Sequence, residues 1–484
     1  MKSNLKNNII YQTLYQVLLL ILPIITSPYV SRVLGAERIG IYSYSYSVAN
    51  YFVLVAALGI NNHGSRVIAE AKGDKEKLNQ VFSDLFTLHA IVAGIVCIIY
   101  LGYSLFFVNQ DQVYAIIQIF YVVSAVFDIN WLFFGLEQFK ITVVRNTLIK
   151  IFTVVCVFIF VREASDLWKY CLIMSLGYFI SQSVVWIYVR EYVVFVKPRW
   201  NGIKSNIKPL FVLFVPAVAV SLYKVMDKIM LGVMSSKEQV GFYENSEKVI
   251  NMLMGFVSAF GTVMLPRMSN LISNGKYKLA EMYMGKSVEV VCCIAMALGF
   301  GLYAVAPRFA PFFFGAGFEE CGILMQLLSF TIVFVAFANV IRTQYLIPNH
   351  RDKIYLISVC SGAVINIFIN SLLIPTMKGR GAAVGTVCAE IAVCVIQFIG
   401  VIKEVNWKCY LKYLVEFSLI GYVMQCCVKF LLNCFASDIV ALIISVTIGG
   451  MIYLLGVLLI LIVTKDDLLV QIKRNQILRV LMKK

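Results

Sequence analysis

The sequence predicts an all-α polytopic membrane protein with about fourteen transmembrane helices, arranged as two pseudo-symmetric six-helix lobes plus two C-terminal helices. Three observations lead to this prediction. The 484 residues are 60% hydrophobic and only 14% charged, with a mean hydropathy of +0.84, whereas about a quarter of the residues in a soluble domain are charged. Apolar runs of about eighteen or more residues recur along the chain, as bilayer crossings require. Finally, an internal repeat relates residues 23–42 to residues 216–243.

The apolar runs give the positions of the crossings. The first run continues past Pro23 and Pro28 to Leu34 without a small-residue cleavage pattern, which favours a crossing over a cleavable signal peptide. The predicted spans are 9–34, 41–62, 83–107, 114–135, 143–162, 168–189, 208–232, 240–264, 287–307, 319–345, 354–375, 383–402, 413–434 and 439–463.

Basic residues are distributed unevenly between the two sides of these spans. The turns after odd-numbered spans hold few of them, whereas the other side holds clusters such as Arg66, Lys72, Lys75 and Lys77, then Lys140 and Arg145, then Arg190, Lys197, Arg199, Lys204 and Lys208. The positive-inside rule therefore places this side and both termini in the cytoplasm, which predicts a multi-pass protein of the cytoplasmic membrane. The net charge of +16 is an orientation signal, and we expect no nucleic-acid partner.

The C-terminal tail combines apolar and basic residues at helical spacing. Residues 466–484 predict a basic amphipathic helix on the inner leaflet, with a solvated tail as the alternative.

The internal repeat defines the lobes. Both copies contain a proline, a tyrosine, a basic residue, a Leu-Gly pair and a Gly-x-Tyr motif: Pro23, Tyr29, Arg32, Gly35 and Gly40–Tyr42 in the first, and Pro216, Tyr223, Lys228, Gly232 and Gly241–Tyr243 in the second. Because the copies lie six spans apart, they have the same orientation, and we predict an N-lobe at 1–207, a C-lobe at 208–403 and an additional region at 404–484. Proline-interrupted helices at matching positions indicate a transport site, although proline is common in membrane spans generally.

Charged residues lie inside spans 7 and 8. A charge near the bilayer centre costs roughly 2.5–3.5 kcal/mol on insertion scales, so it normally faces a protein interior or a watered cavity. Snorkelling and a purely structural ion pair are the alternatives, and snorkelling is hardest for Lys224, about 12 Å along the helix from its end. The residues occur at i, i+3 and i+4, which places them on one face of each helix: Lys224, Asp227 and Lys228, then Glu244, Glu247 and Lys248.

Other polar residues extend this candidate site. Asn50 follows a run of serines in span 2, and Asp128 is the only acidic residue deep in the first lobe. Cysteines and histidines do not add a metal site, because most of the 13 cysteines lie in apolar runs, none forms Cys-x-x-Cys, and the three histidines are far apart in sequence.

The chain resembles the Wzx family of bacterial polysaccharide flippases in several segments. These are LPIITSPYVSRVLGAERIGIYSYSYSVANYF at 22–52, ALGINNHGSRVIAEAKGD at 57–74, VPAVAVSLYKVMDKIMLGVMSSKEQVGFYENSEKVI at 215–250 and AFGTVMLPRMSNL at 259–271. This family belongs to the MOP superfamily, with the MATE drug exporters and the MurJ lipid II flippases. The resemblance implies two six-helix lobes around a cavity lined by spans 1, 2, 7 and 8. It also implies an oligosaccharide substrate carried on undecaprenyl pyrophosphate.

Such a substrate needs a polar route with cationic groups for its phosphates. We predict Arg32, Lys224, Lys228 and Lys248 as phosphate-binding residues and Asn50 as a sugar-binding residue. We assign Asp128, Asp227, Glu244 and Glu247 to charge pairing or to a coupling cation. We expect no cofactor beyond a proton or sodium gradient or the membrane potential. The expected partners are the lipid-linked oligosaccharide, membrane lipids, and the polymerase and glycosyltransferases of the same pathway.

Three other functions remain open at this point. A cation-coupled multidrug exporter would use the same scaffold, although a cationic drug favours an acidic cavity over this lysine-rich one. A polysaccharide polymerase or ligase is also polytopic, but no predicted external loop offers paired carboxylates or a nucleophile with a base, so we expect no enzyme. A membrane scaffold would leave the embedded charges unexplained.

Overall fold

A computed structural model describes residues 5–463 of the chain, apart from the side chains of 5–14, 16, 17, 215–217, 223 and 224. Within this part of the chain all regular structure is helical and no strand occurs. The predicted amphipathic helix at 466–484 lies outside the described residues.

Sixteen α-helices follow one another along the described part of the chain. They are α1 Leu5–Ala57, α2 Ile60–Ala71, α3 Lys75–Phe106, α4 Gln112–Ile117, α5 Ile119–Ser124, α6 Asn130–Gly135, α7 Phe139–Phe160, α8 Leu167–Val184, α9 Val189–Tyr192, α10 Trp200–Met234, α11 Lys237–Ser273, α12 Tyr277–Phe314, α13 Glu319–Ile341, α14 Asp352–Ile399, α15 Trp407–Cys434 and α16 Asp438–Val463. Short 3₁₀ turns flank α8, and a π-helical turn, Arg342–Leu346, ends α13.

Eleven helical segments of the described chain are long and apolar enough to cross a membrane. Two of them, of 54 and 48 residues, are about 70–80 Å long at 1.5 Å per residue, more than twice the roughly 30 Å of hydrocarbon. Each of these can cross twice, because the chain kinks at Gly35 (φ 76°) and at Lys378 (φ 52°). These kinks replace the turns predicted at 35–40 and 376–382, and they bring the number of crossings close to the fourteen predicted.

The first of two compact units comprises Met1–Asn245 together with Asn366–Ala382. Its packing depends on small residues where helices approach closely. A Cβ atom on Gly64 of α2 would lie 2.9 Å from the Trp131 ring, and one on Gly135 of α6 would lie 2.7 Å from Ile68. Trp131 and Ile68 are fully buried with Phe82 in one apolar cluster, so α2, α3 and α6 form a tight core.

The second unit comprises Ser246–Ile365 and Ala383–Lys484. Glycines again allow close packing: a Cβ atom on Gly421 of α15 would lie 2.5 Å from the Phe300 ring of α12, and one on Gly449 of α16 would lie 2.5 Å from Val428. The Tyr453 hydroxyl donates to the Cys293 carbonyl at 2.7 Å. This unit therefore holds α15 and α16 against α12. The division into two compact units does not test the lobe boundaries that the repeat predicts at residues 207 and 403. These boundaries therefore stay predictions.

Candidate functional site

The α10–α11 hairpin carries the charges predicted for spans 7 and 8, and its part up to Asn245 belongs to the first unit. Lys228 Nζ lies 2.8 Å from Glu244 Oε2, and each side chain is 16% exposed. The Ser43 hydroxyl of α1 donates to the same Glu244 oxygen at 2.9 Å. The structure thus brings a predicted phosphate-binding cation together with a predicted charge-pairing carboxylate, and adds a hydroxyl from the span 2 serine run.

Asp227 is the most buried of the predicted site residues whose side chains are described, at 3% exposure. The Tyr243 hydroxyl donates to its Oδ2 at 2.7 Å, and Asn370 Nδ2 of α14 donates to its Oδ1 at 2.5 Å. Asn370 Nδ2 also lies 3.2 Å from Asn366 Oδ1. The buried Asn370 Oδ1 has no hydrogen-bond partner among the described residues. Two neutral donors therefore stabilise this carboxylate.

The equivalent tyrosines of the two repeat copies have different neighbours, and of these two tyrosines Tyr243 is the partner of Asp227. Tyr42, at the same position of the first copy, is also buried, and its ring packs edge-on against Tyr170 with centroids 4.8 Å apart. The two copies have the same motif, and the tyrosine of the second copy has a carboxylate partner.

A second polar cluster connects the α5–α6 loop with α6, α7 and α8 in the same unit. Asp128 Oδ1 accepts from Asn130 Nδ2 at 2.7 Å, and Arg145 Nη2 donates to Asn130 Oδ1 at 2.9 Å. Arg145 Nη2 also donates to Asn146 Oδ1 at 2.8 Å, and Asn130 Nδ2 donates to Gln182 at 3.0 Å. The amide of Asn130 thus bridges the acidic residue predicted for the first lobe and an arginine.

Arg145, which the sequence analysis counted among the basic residues of the cytoplasmic side, is buried among polar partners in the structure. It is the seventh residue of α7, it is 5% exposed, and its Nη1 is buried without a hydrogen-bond partner among the described residues. Lys150, halfway along α7, is half-buried. A polar series in the sequence, Asn130, Asn146, Ser181 and Gln182, was the signal that this arginine has internal partners.

The remaining predicted residues are placed as follows. Asn50 Oδ1 accepts from the Tyr121 hydroxyl at 2.9 Å, beside the stacked ring of Tyr46. Arg32 is exposed. Glu247 and Lys248 are half-buried on α11 and belong to the second unit. The side chain of Lys224 lies outside the described residues.

Sequence comparison shows the family to which the chain belongs. The family described as polysaccharide biosynthesis protein matches residues 5–272. A putative O-antigen transporter of Escherichia coli K12 is 24% identical over 400 residues, which cover 80% of this chain and 94% of that protein.

Solved structures show the same fold. A lipid II flippase MurJ in an inward closed conformation covers 95% of this chain and 99% of its own, with a TM-score of 0.75 and 14% identity. An inward-facing multidrug resistance MATE family transporter of the MOP superfamily covers 83% and 96%, with a TM-score of 0.61 and 15% identity. These likenesses establish a polytopic membrane fold of the MOP type.

Proposed function

Because the chain belongs to the polysaccharide biosynthesis protein family, we propose that it is a flippase for lipid-linked oligosaccharides. The observation that carries the proposal is the Lys228–Glu244–Ser43 cluster, a charged and hydroxylated group inside helices that are apolar enough to cross a bilayer. Such groups normally line a substrate pathway. The O-antigen transporter, which matches 80% of this chain, supports a glycan as the substrate.

The proposed substrate is an oligosaccharide repeat unit on undecaprenyl pyrophosphate. Its lipid tail stays in the bilayer, whereas its phosphates and sugars need polar partners on the way across. In the structure Lys228 is held by Glu244. A phosphate oxygen that displaces Glu244 would form a charge-assisted bond to the same ammonium. Arg32, Lys224 and Lys248 are the other predicted phosphate partners, and Arg145 adds a buried donor without a partner among the described residues.

The proposed direction is from the inner to the outer leaflet of a bacterial cytoplasmic membrane, with both termini in the cytoplasm. The asymmetry of the basic residues supports this orientation. Proline-interrupted, repeat-related helices support alternating access, in which the route opens first to one side and then to the other. Transport of this kind requires no catalytic group.

Asp227 is the proposed coupling residue. It is a buried carboxylate that accepts from Asn370 Nδ2, which also donates to Asn366 Oδ1, and hard cations prefer carboxylate and carbonyl oxygens. Among the described residues no group of three or more His, Cys, Asp or Glu side chains forms a metal site. A coupling ion would therefore be sodium, held by one carboxylate with neutral oxygens, or a proton on Asp227 itself.

Deletion of the protein tests the proposed function. Cells without it should accumulate lipid-linked oligosaccharide on the inner leaflet and lose the surface polymer, while drug resistance stays unchanged. The measurements are lipid-linked intermediates by mass spectrometry, surface glycan by labelling of intact cells, and growth in a panel of cationic drugs. Reduced drug efflux with an intact surface glycan would contradict the proposal and favour a drug exporter.

A further inference from the structure

A small cleft of the first unit carries polar side chains that the proposed transport chemistry does not use. Its polar walls are Tyr44 of α1, Tyr103 of α3, Gln110 and Asp111 of the α3–α4 loop, and Lys237 at the start of α11. It is named the tyrosine cleft after its two tyrosine rings. The predicted turns beside it all follow odd-numbered spans, so the distribution of basic residues predicts that the cleft faces the external side.

Helices α1, α3 and α4 provide most of the walls of the tyrosine cleft. Four residues of α1 share one helix face because they occur at i, i+3, i+4 and i+7: Ile41, Tyr44, Ser45 and Val48. The Tyr100 hydroxyl of α3 donates to the Ala115 carbonyl of α4 at 2.7 Å, and both residues are buried. This bond fastens α4 to α3 and thereby holds the loop between them at the edge of the cleft.

The start of α11 completes the cleft through a close backbone contact. A Cβ atom on Gly40 would overlap the carbonyl oxygen of Lys237 and lie 2.9 Å from Gly241 N. The backbone of α11 therefore lies directly against α1. Lys237 Nζ lies 3.0 Å from the centre of the Tyr44 ring, where the electron-rich ring face attracts an ammonium group. Backbone packing thus places one cation in the wall of the cleft.

Several polar groups of the cleft keep unused hydrogen-bonding capacity. Within the described part of the chain, no side-chain hydrogen bond is made by Tyr44, Tyr103, Gln110 or Asp111. Lys237 Nζ donates one long bond, to a backbone carbonyl at 3.4 Å. Burial raises the pKa of the Asp111 carboxyl above its usual value, and the nearby Lys237 ammonium opposes that rise. The carboxylate and the ammonium therefore interact across the cleft, and each has room for a further partner.

The charges of the cleft favour an uncharged polar ligand over an ion. An anion attracted by Lys237 is repelled by Asp111, and a cation attracted by Asp111 is repelled by Lys237, because both charges line the same small space. A hydroxyl group both donates and accepts, whereas an ionised carboxylate only accepts and an ammonium only donates. Neighbouring hydroxyls of one sugar therefore satisfy both groups together, with charge-assisted bonds. The tyrosine rings add apolar contact area for the carbon atoms of the sugar.

The size of the cleft limits how much of a ligand it encloses. The enclosed space is about 30 Å³, which is room for about two or three waters at 10–15 Å³ each. A ligand group that displaces an ordered water gains affinity only when it reproduces the hydrogen bonds of that water, and a hydroxyl group does so. The cleft therefore fits the hydroxyl edge of one sugar residue, with the rest of the glycan outside.

We propose that the tyrosine cleft is a sugar-binding subsite, in which Asp111 and Lys237 hold the hydroxyls of one uncharged sugar residue at the external side. This inference deepens the proposed function and rests on it for the origin of the sugar, a residue of the oligosaccharide that has crossed. Binding there favours the state in which the glycan has already reached the outside. Asn50, the sugar-binding residue predicted from the sequence, does not line this cleft.

A binding measurement on the purified full chain in lipid nanodiscs tests the subsite. The probes are free neutral hexoses and N-acetylhexosamines, observed by saturation-transfer NMR. Asp111→Gly removes the carboxylate and suits the left-handed backbone of this residue (φ 60°). It should weaken the apparent affinity for the preferred sugar by about tenfold or more. Lys237→Gln should weaken it as well and serves as the second variant. Glu238→Ala, which removes an exposed carboxylate outside the cleft, should change nothing.

Three outcomes of this measurement would overturn the subsite. The first is no saturation transfer to any sugar of the panel with the unmodified protein. The second is equal affinity in Asp111→Gly and in Glu238→Ala. The third is tighter binding of glucuronate or inorganic phosphate than of the neutral sugars, because it would make the cleft an anion site.

A labelling experiment in intact cells tests the location of the subsite. Val108→Cys places a thiol in the cleft, and Asn109→Cys places one on an exposed residue beside it that does not line the cleft. A membrane-impermeant maleimide added outside should label both, and the preferred sugar should slow only the reaction at position 108. The unmodified chain controls for the 13 native cysteines. Equal slowing at both positions, no slowing at 108, or no labelling from outside would each contradict the proposal.

Failure of the subsite and failure of the proposed function give different results. A deletion strain with a normal surface glycan, together with sugar binding that depends on Asp111, would reject glycan export and retain the subsite. A deletion strain without surface glycan, together with a protein that binds no sugar at the cleft, would retain glycan export and reject the subsite.

Discussion

Two ion pairs with similar distances between their charged atoms differ in how far they are buried. Lys228–Glu244 in the first unit joins atoms 2.8 Å apart, and both side chains are 16% exposed. Arg351–Glu404 in the second unit joins atoms 2.7 Å apart, at 36% and 40% exposure, and Glu404 also accepts from the Tyr345 hydroxyl. Breaking a fully buried pair costs about 3–5 kcal/mol, whereas an exposed pair contributes about 0–1 kcal/mol. Burial, more than the distance between the charged atoms, therefore decides how much each pair contributes to the free energy of unfolding.

The largest expected effect is that of Lys228→Ala, which leaves Glu244 charged inside the membrane helices. The loss of stability should approach the roughly 3–5 kcal/mol of a buried pair, reduced by the partial exposure of both groups. The combined Lys228→Met and Glu244→Gln variant should restore protein level and melting temperature in detergent, but not glycan export, because the cation for the phosphate is still absent. Arg66→Ala, which breaks an exposed pair at 80% and 58% exposure, is the control. Normal glycan export by the combined variant would show that the Lys228–Glu244 pair has only a structural role.

A smaller effect is expected for a substitution of Asp227 that keeps its volume, because Tyr243 and Asn370 still lie beside the new side chain. Asp227→Asn keeps the volume but replaces an acceptor by a donor near Tyr243 or Asn370, and an unsatisfied buried group costs about 1–3 kcal/mol. The protein should still reach the membrane, and any remaining export should no longer depend on a sodium or proton gradient. Export measured in vesicles with imposed gradients checks this. If export by the Asp227→Asn variant still depends on the gradient, a residue other than Asp227 couples transport to the ion.

The smallest effect concerns the exposed pair and acid pH. Hydrogen bonds from Tyr345 and Arg351 lower the pKa of the Glu404 carboxyl below its usual value. The contribution of Glu404 is therefore complete above the pKa of the unfolded chain, about 4.3, and is lost as the pH falls through the lower pKa of the folded protein. Glu404→Gln should change the melting temperature slightly at pH 7, by the equivalent of about 0–1 kcal/mol, and less at pH 3. An equal change at both pH values would show that the charge contributes nothing.

Some features of the site follow from short stretches of sequence. Lys228 and Glu244 lie on adjacent spans joined by a short turn, so their pairing requires only that two neighbouring helices face each other. Asp227 and Tyr243 belong to the same hairpin. Sequence spacing was enough to identify this region as a candidate site, because i, i+3 and i+4 positions share a helix face.

Other features depend on helices that are distant in sequence. Asn370, which donates to Asp227, is 143 residues away, and its own segment carries no charge that would draw attention to it. Arg145 was assigned to the cytoplasmic side because it lies near the start of a span. Its burial depends on Asn130 and Asn146, and on the rotation of α7 that turns the guanidinium inward.

The sequence by itself determined the membrane class, most span positions and the family, because hydropathy and bilayer thickness act on each segment separately. Only the tertiary structure decided that Gly40 meets Gly241, that Asp227 meets Asn370 and that Arg145 is buried. The physical reason is that lipid tails are as apolar as the helices themselves, so hydropathy does not choose which helix faces pack together. Close packing of small residues and hydrogen bonds between helices make that choice, and both depend on the three-dimensional arrangement of segments far apart in the chain.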